Sequence, residues 1–225
     1  MSEERENMYD KLLQLPLFQG LSGNDWAYVA GHTIFEFRRY HAGETLIHEG
    51  DRCRHLHFLI KGKLRATAIA DDRSYQIVET YTAPFILQPE NLFGLTQRYT
   101  QTFKAQTNCE FLLLSKDEVV KLSDNFEVFR INLLNMITTL AQRLASRTWH
   151  VPPITLREKI ARFVTDRCRI PAGHKFLQIK MERLAELVGA SRLNVSRELH
   201  KMEQEGLVNL RRSEIEIFAL QDLHS

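Results

Sequence analysis

Apolar positions along this chain change period three times, and each change predicts a change of element. Leu12, Leu13, Leu15, Leu17 and Phe18 follow a helical rhythm broken by Pro16 and Gly20, which predicts two short helices over residues 8–30 rather than one. From about 33 to 115 the pattern turns to short β-type runs: Thr33 to Phe37, Thr45 to His48, Leu56 to Ile60, Leu64 to Ile69, Tyr75 to Tyr81, Thr102 to Gln106 and Phe111 to Leu114. Turn residues separate them at Ala42-Gly43, Glu49-Gly50-Asp51, Lys61-Gly62-Lys63 and Asp71-Asp72. Strands this short and evenly spaced predict a small barrel or sandwich.

Residues 116 to about 150 return to helical spacing. Phe126, Phe129, Leu133, Met136 and Leu140 make one seam, and Leu133, Ile137, Leu140 and Leu144 make a second that overlaps it. One helix with so wide an apolar surface has two partners to cover, its own strand domain and the same helix of a second subunit. That predicts a parallel two-fold dimer built on Phe129, Leu133, Met136, Ile137, Leu140 and Leu144. Val151-Pro152-Pro153 then stops the helix and marks a hinge, because each proline removes a donor and restricts the residue before it. A further helix, Thr155 to Cys168, opens the last domain. The predicted division is a strand domain over 1–115 with its N-terminal helices, a dimerisation helix over 116–150 and a third region over 151–225.

That third region holds the most specific pattern. Met181 to Val188 carries Leu184, Leu187 and Val188 on one face, and Val195, Leu199 and Met202 repeat the spacing one segment later. Gly189 stands between them, where leaving the first helix takes a left-handed residue that glycine adopts cheaply. Ser191 stands where an N-cap hydroxyl satisfies the next helix's free N–H groups. The pair reads as a helix-turn-helix, and with its apolar stripe turned inward the second helix presents Arg192, Asn194, Ser196 and Arg197 near its start, where recognition helices meet base edges. Arginine bonds bidentately to guanine and asparagine to adenine. Gly206-Leu207-Val208 and Leu210 to Phe218 then predict two strands around a turn, the wing of a winged helix, with Arg211 and Arg212 at its tip to meet phosphate. A plain helical hairpin inside a larger core would leave that wing unexplained.

Composition sharpens this only in part. A net charge of +2 over 225 residues does not announce a nucleic-acid protein, but residues 152–225 hold 13 Lys and Arg against 10 Asp and Glu, so the basic excess lies at the end predicted to meet phosphate. No apolar run approaches the roughly 18 residues of a membrane span, and Met1-Ser2-Glu3-Glu4-Arg5-Glu6 lacks a signal-peptide core, so a cytoplasmic protein with no membrane partner is expected. Cys53, Cys109 and Cys168 are widely separated with no Cys-x-x-Cys pair and read as reduced structural thiols. The sequence shows no metal-ligand cluster, nucleophile elbow or phosphate-cradling glycine loop, which argues against an enzyme.

In combination these features resemble the cyclic AMP receptor/fumarate-nitrate regulator (Crp/Fnr) superfamily of bacterial transcription factors, from about Leu12 to Leu220. The resemblance rests on Ala42-Gly43-Glu44-Thr45-Leu46-Ile47-His48-Glu49-Gly50-Asp51, on Leu59-Ile60-Lys61-Gly62-Lys63-Leu64-Arg65, on the long helix, and on Val188-Gly189-Ala190-Ser191-Arg192 with Val195-Ser196-Arg197. It implies an α+β architecture: a cyclic-nucleotide-binding-like β-barrel of jelly-roll type, a long dimerisation helix and a C-terminal winged helix-turn-helix. It also implies a homodimer on palindromic double-stranded DNA, with RNA polymerase as a partner through a loop such as Ile170 to Phe176. By the same resemblance Arg192 and Arg197 match base-reading positions, Asn194 and Ser196 polar-contact positions, and Lys180, Arg183, Ser191, Arg211 and Arg212 lie at or near backbone-contact positions. Leu193 stands where the family commonly has a glutamate that accepts from cytosine, so the half-site should differ there.

The departures bear on the effector. Cyclic-nucleotide binders of the family hold ribose and cyclic phosphate with a Gly-Glu pair and an Arg-Ser pair; aligned on Thr107-Asn108-Cys109-Glu110, this chain has Gln88-Pro89 and Tyr99-Thr100. The arginine that neutralises the phosphate is missing, with Arg98 one residue away as the nearest substitute, so the pattern argues against cyclic AMP. An iron–sulfur cluster on N-terminal cysteines is excluded because none precedes Cys53. His55 and His57, on one face of a strand, leave a haem-binding variant open, although solvent exposure is the commoner reason for such a pair. The resemblance places an effector pocket at Leu87, Gln88, Glu90, Arg98, Tyr99, Thr100, Arg147 and Thr148. A ligand-binding subunit acting on a protein partner stays open as the rival to a DNA reader.

Overall fold

The computed structural model describes residues 12–146, 149 and 151–224. They pack as two compact units, one gathering the chain up to Leu64 and from Tyr81 to the end of the long helix, the other gathering Arg65–Thr80 with the chain from Trp149 onward. The strand pattern predicts one strand domain over 1–115; by contacts, the outer part of one hairpin packs with the C-terminal unit.

The first unit is a jelly-roll-like domain. Helix α1 (Gly23–His32) starts at a capping box in which Ser22 and Asp25 satisfy each other's free backbone donors. Eight strands follow: β1 (Phe35–Tyr40), β2 (Thr45–Ile47), β3 (His55–Lys61), β4 (Lys63–Ile69), β5 (Tyr75–Thr82), β6 (Phe85–Leu87), β7 (Thr102–Ala105) and β8 (Cys109–Ser115). One antiparallel sheet runs β1-β8-β3-β6, with Leu59 opposite Phe111 and Leu56 opposite Leu114, while β2 pairs with β7. The strands form open sheets rather than a closed barrel. Leu56 to Ile60 are all buried, because β3 is covered on both faces: Phe18 packs between Phe58 and Phe129, at ring separations of 5.7 and 5.5 Å. Gly62 makes the β3–β4 turn possible at φ +101°, since a Cβ there would sit 2.5 Å from the Asn108 carbonyl oxygen. Strand β6 escaped the sequence pattern because three residues are too few to show a period.

The single helix expected over 116–150 is two. Helix α2 (Lys116–Asn125) ends at extended Phe126, and α3 (Glu127–Ser146) begins after it. Of the seam predicted for dimerisation, Phe129 and Leu133 are buried within this unit, Met136, Ile137 and Leu140 are half-buried, and Leu144 is exposed, as are Ile131 and Leu134.

The second unit is a winged helix-turn-helix extended by the hairpin. Helix α4 (Leu156–Thr165), strand β9 (Lys175–Ile179), helices α5 (Met181–Val188) and α6 (Arg192–Gln204), and strands β10 (Val208–Arg211) and β11 (Glu214–Ile217) follow in order. Within the unit the sheet runs β10-β11-β9-β5-β4, so β5 adds an antiparallel strand to β9, with Tyr75 opposite Ile179 and Glu79 opposite Lys175. Ile77 enters the core with Phe163, Leu177, Leu184, Val195, Leu199 and Ile215. Beside it lies a buried ion pair. Lys175 Nζ is 3.4 Å from Glu79 Oε1 and donates to the Ala172 carbonyl, while Glu79 accepts the backbone N–H groups of Arg169 and Ile170. A buried charge pair persists only where such extra hydrogen bonds complete it.

Candidate nucleic-acid interface

The two helices of the motif fold for the reasons their sequence gives. Leu184, Ala185 and Val188 of α5 and Val195, Leu199 and Met202 of α6 are buried against the same core. Gly189 closes α5 at φ +65°, ψ +47°, its N–H reaching back to the Ala185 and Glu186 carbonyls, and Ser191 Oγ accepts the Asn194 N–H at 3.2 Å. Burying three α6 residues at this spacing turns Asn194 and Arg197 into solvent on the far side, while Arg192 is exposed at the first position of the helix and Ser196 is half-buried. Arg192 has a loose contact of 3.7 Å to Glu182, and no ion pair of Arg197 is found among the described residues. Leu193 is also exposed, an apolar side chain among these polar ones.

Neighbouring charges aim this helix. Arg157 of α4 bonds Glu198 at 3.1 Å and Glu205 at 2.7 Å, so the middle and the C-terminal end of α6 are tied to α4. The bond to Arg157 holds the Glu205 carboxyl below its ordinary range. Glu203 accepts the Leu210 N–H at 2.8 Å and so fixes the wing to the helix. These positioning residues escaped the sequence pattern, because charged residues on helix faces look alike until their partners are known.

The residues expected at the DNA backbone divide. Lys180, Ser191 and Arg212 are exposed, and Arg211 at the wing bonds Glu216 at 2.9 Å. Arg183 has its guanidinium taken up by Asp72 at 2.7 Å, Ser74 at 3.1 Å and Glu186 at 2.9 Å, which makes it an anchor for the β4–β5 hairpin. Nothing local in the sequence signals a partner 111 residues away.

In the first unit the expected effector positions are drawn into an internal network. Gln88, buried and left-handed at φ 37°, donates to Thr100 Oγ1 at 2.8 Å and Gln101 Oε1 at 3.1 Å, while its own oxygen accepts from the Thr100 N–H and from Asn91. Leu87 and Tyr99 are buried and Glu90 is half-buried. Tyr99 Oη lies 2.9 Å from His57 Nδ1 and donates to the His55 carbonyl. Arg98 does not join them: its guanidinium binds the Gly50 carbonyl at 2.6 Å, in an open cleft with Arg52 and Arg54. Arg147 and Thr148 lie outside the described residues. The expected exposure of the histidine pair is corrected at His57, which is buried with its imidazole pushed down to about 4 by loss of hydration. Among the described residues no cluster of His, Cys, Asp and Glu could hold a metal, and no helix is long and apolar enough to cross a membrane.

The chain is similar in sequence and fold to known proteins. Residues 37–126 match the cyclic nucleotide-binding domain family, and residues 158–225 match the Crp-like helix-turn-helix domain family. The chain is 29% identical over 192 residues to the cAMP-activated global transcriptional regulator Vfr of Pseudomonas aeruginosa, covering 80% of this chain and 88% of that protein. It is 26% identical over 212 residues to the cyclic AMP receptor protein of Thermus thermophilus, covering 90% and 92%. The fold is similar to the crystal structure of the Thermus thermophilus catabolite activator protein, with a TM-score of 0.52 at 22% identity over 93% of this chain and 97% of that one. It is also similar to the sensor domain of the transcriptional regulator DNR from Pseudomonas aeruginosa, with a TM-score of 0.53 at 15% identity over 69% and 99%.

Proposed function

The chain belongs to the Crp/Fnr superfamily of bacterial transcription regulators, and from that premise we propose that it works as a cytoplasmic homodimer on a palindromic promoter site, one α6 entering each of two major-groove segments about one helical turn (~34 Å) apart. The carrying observation is the outward display of Arg192, Asn194 and Arg197 at the start of a helix whose opposite face is wholly buried. Dimerisation is supported by Ile131, Leu134 and Leu144, which stand exposed along α3 and would be covered by a second copy of the helix. RNA polymerase is the proposed partner on the promoter.

The effector in this proposal is not cyclic AMP. Gln88 already meets its hydrogen-bonding needs within the protein, Tyr99 fills the expected arginine position with a buried ring, and Arg98 is bound elsewhere. A cyclic phosphate placed there would be buried without a cation. The test is binding of promoter duplexes by fluorescence anisotropy, with and without cyclic AMP, for the wild type and for Arg192→Ala and Arg197→Ala. Each substitution should weaken specific binding by about 1–3 kcal/mol, and the nucleotide should change nothing. Unchanged DNA retention by both variants would sink the proposed reading helix, and a nucleotide-dependent gain would sink the effector assignment.

A further inference from the structure

Around the wing the second unit has an open cleft of about 640 Å³, lined by the hairpin tip (Arg73, Ser74), the N-cap of α5 (Lys180) and the wing turn (Arg211, Arg212, Ser213). Its rim is strongly cationic. Arg211 is engaged by Glu214 and Glu216, but Arg73, Lys180 and Arg212 have no ion pair among the described residues and all three are exposed. The carboxylate nearest Arg73 in sequence is withdrawn from it: Asp72 accepts the Ser74 N–H at 3.0 Å, the Ser74 hydroxyl at 2.7 Å and Arg183 Nη2 at 2.7 Å. Two of the turns rimming the cleft are left-handed at non-glycine residues, Arg73 at φ 55° and Ser213 at φ 58°. That conformation is uncommon for residues with a Cβ and points to a backbone held in place by its surroundings.

We propose that Arg73, carried on the β4–β5 hairpin from the N-terminal half of the chain, is a DNA-backbone contact, and that the cleft it shares with Lys180 and Arg212 receives the sugar-phosphate strand flanking the recognition helix. The inference rests on the proposed DNA reading and extends it to an element outside the helix-turn-helix. Three unneutralised cations on one rim match the charge of consecutive phosphates. They are continuous with the N-terminus of α5 and the wing, the two places where this motif meets the backbone. Arg183 then has a stated role: it grips the tip through Asp72 and Ser74 and thereby sets where Arg73 stands.

Phosphate contact predicts a sequence-independent effect. Full-length Arg73→Ala and Arg73→Lys should be compared with the wild type on a promoter duplex and on a random-sequence duplex across a salt series. Arg73→Ala should weaken binding to both duplexes about equally, by about threefold to tenfold at 0.1 M salt, and lower the magnitude of the log K against log salt slope by about 1. Arg73→Lys should restore the slope. Wild-type affinity and slope in Arg73→Ala, or tighter binding, would overturn the inference; if Arg192→Ala still lost specific binding, the proposed function would stand without it. Loss on the promoter alone would likewise overturn it, since that is the mark of a base contact. Because Arg73 is exposed, its thermal unfolding should match the wild type.

Discussion

The two units treat their polar side chains in opposite ways. In the first, Gln88, Gln101, Tyr81, Tyr99 and His57 turn inward and bond one another. In the second, Arg192, Asn194, Arg197 and Arg212 face solvent at the start of a helix and the tip of a turn. Inward polar groups satisfied by each other fix a shape, and an outward array held in place by a buried apolar stripe offers its bonds to something else. Resemblance of sequence extends over both units, yet the two differ in where they spend their polar groups.

The largest expected effect tests whether inward polarity is structural even inside the reading unit. Lys175→Ala removes the cation 3.4 Å from buried Glu79 and should cost about 3–5 kcal/mol in urea denaturation, whereas the paired change Glu79→Gln with Lys175→Met should recover most of it. A single variant as stable as the wild type would break the comparison.

The next effect belongs to the first unit and depends on pH. His57 titrates near 4 when folded against an ordinary 6.5, so the unfolded chain binds its proton first as pH falls. Stability is therefore whole above about 6.5 and drains away towards about 4, by on the order of 3 kcal/mol. His57→Gln should remove that slope from the pH dependence of unfolding, and a wild type equally stable at pH 7 and pH 4.5 would contradict it. The smallest effect sharpens the outward side. Leu193→Glu supplies a carboxylate among the readers and should change preference at one base pair per half-site, worth about 1–3 kcal/mol of discrimination. Site selection from random DNA measures it, and the same motif for both proteins would refute it.

Much of this was legible in the chain itself. The helix-turn-helix was readable because each of its requirements is local: a stripe at 3-4 spacing, a glycine that must turn left-handed, a serine that must cap. The longer strands of the first unit were readable for similar reasons, and three-residue β6 was not. Strand β9 was not, since Lys-Phe-Leu-Gln-Ile places a lysine at an inward position and so disguises the alternation; only Glu79, far back in the chain, makes that burial tolerable. The break at Phe126 hid for the opposite reason, because the apolar spacing continues through it while the backbone does not. At the sensor positions the missing arginine was visible, but the mutual bonding of Gln88 and Thr100 required the fold.

The hairpin that completes the second sheet also fixes an order of events during synthesis. Residues 65–80 leave the ribosome long before β9, so their outer pairing edge waits unpartnered until its partners emerge 96 (Glu79 to Lys175) to 104 (Tyr75 to Ile179) residues later. Conversely, a fragment beginning at Trp149 would lack Ile77 and Glu79 and would present β9 as a bare strand edge above a charged lysine, an invitation to intermolecular pairing. The C-terminal segment is therefore not a detachable module, and its sheet can close only after the chain has doubled back on its own earlier half.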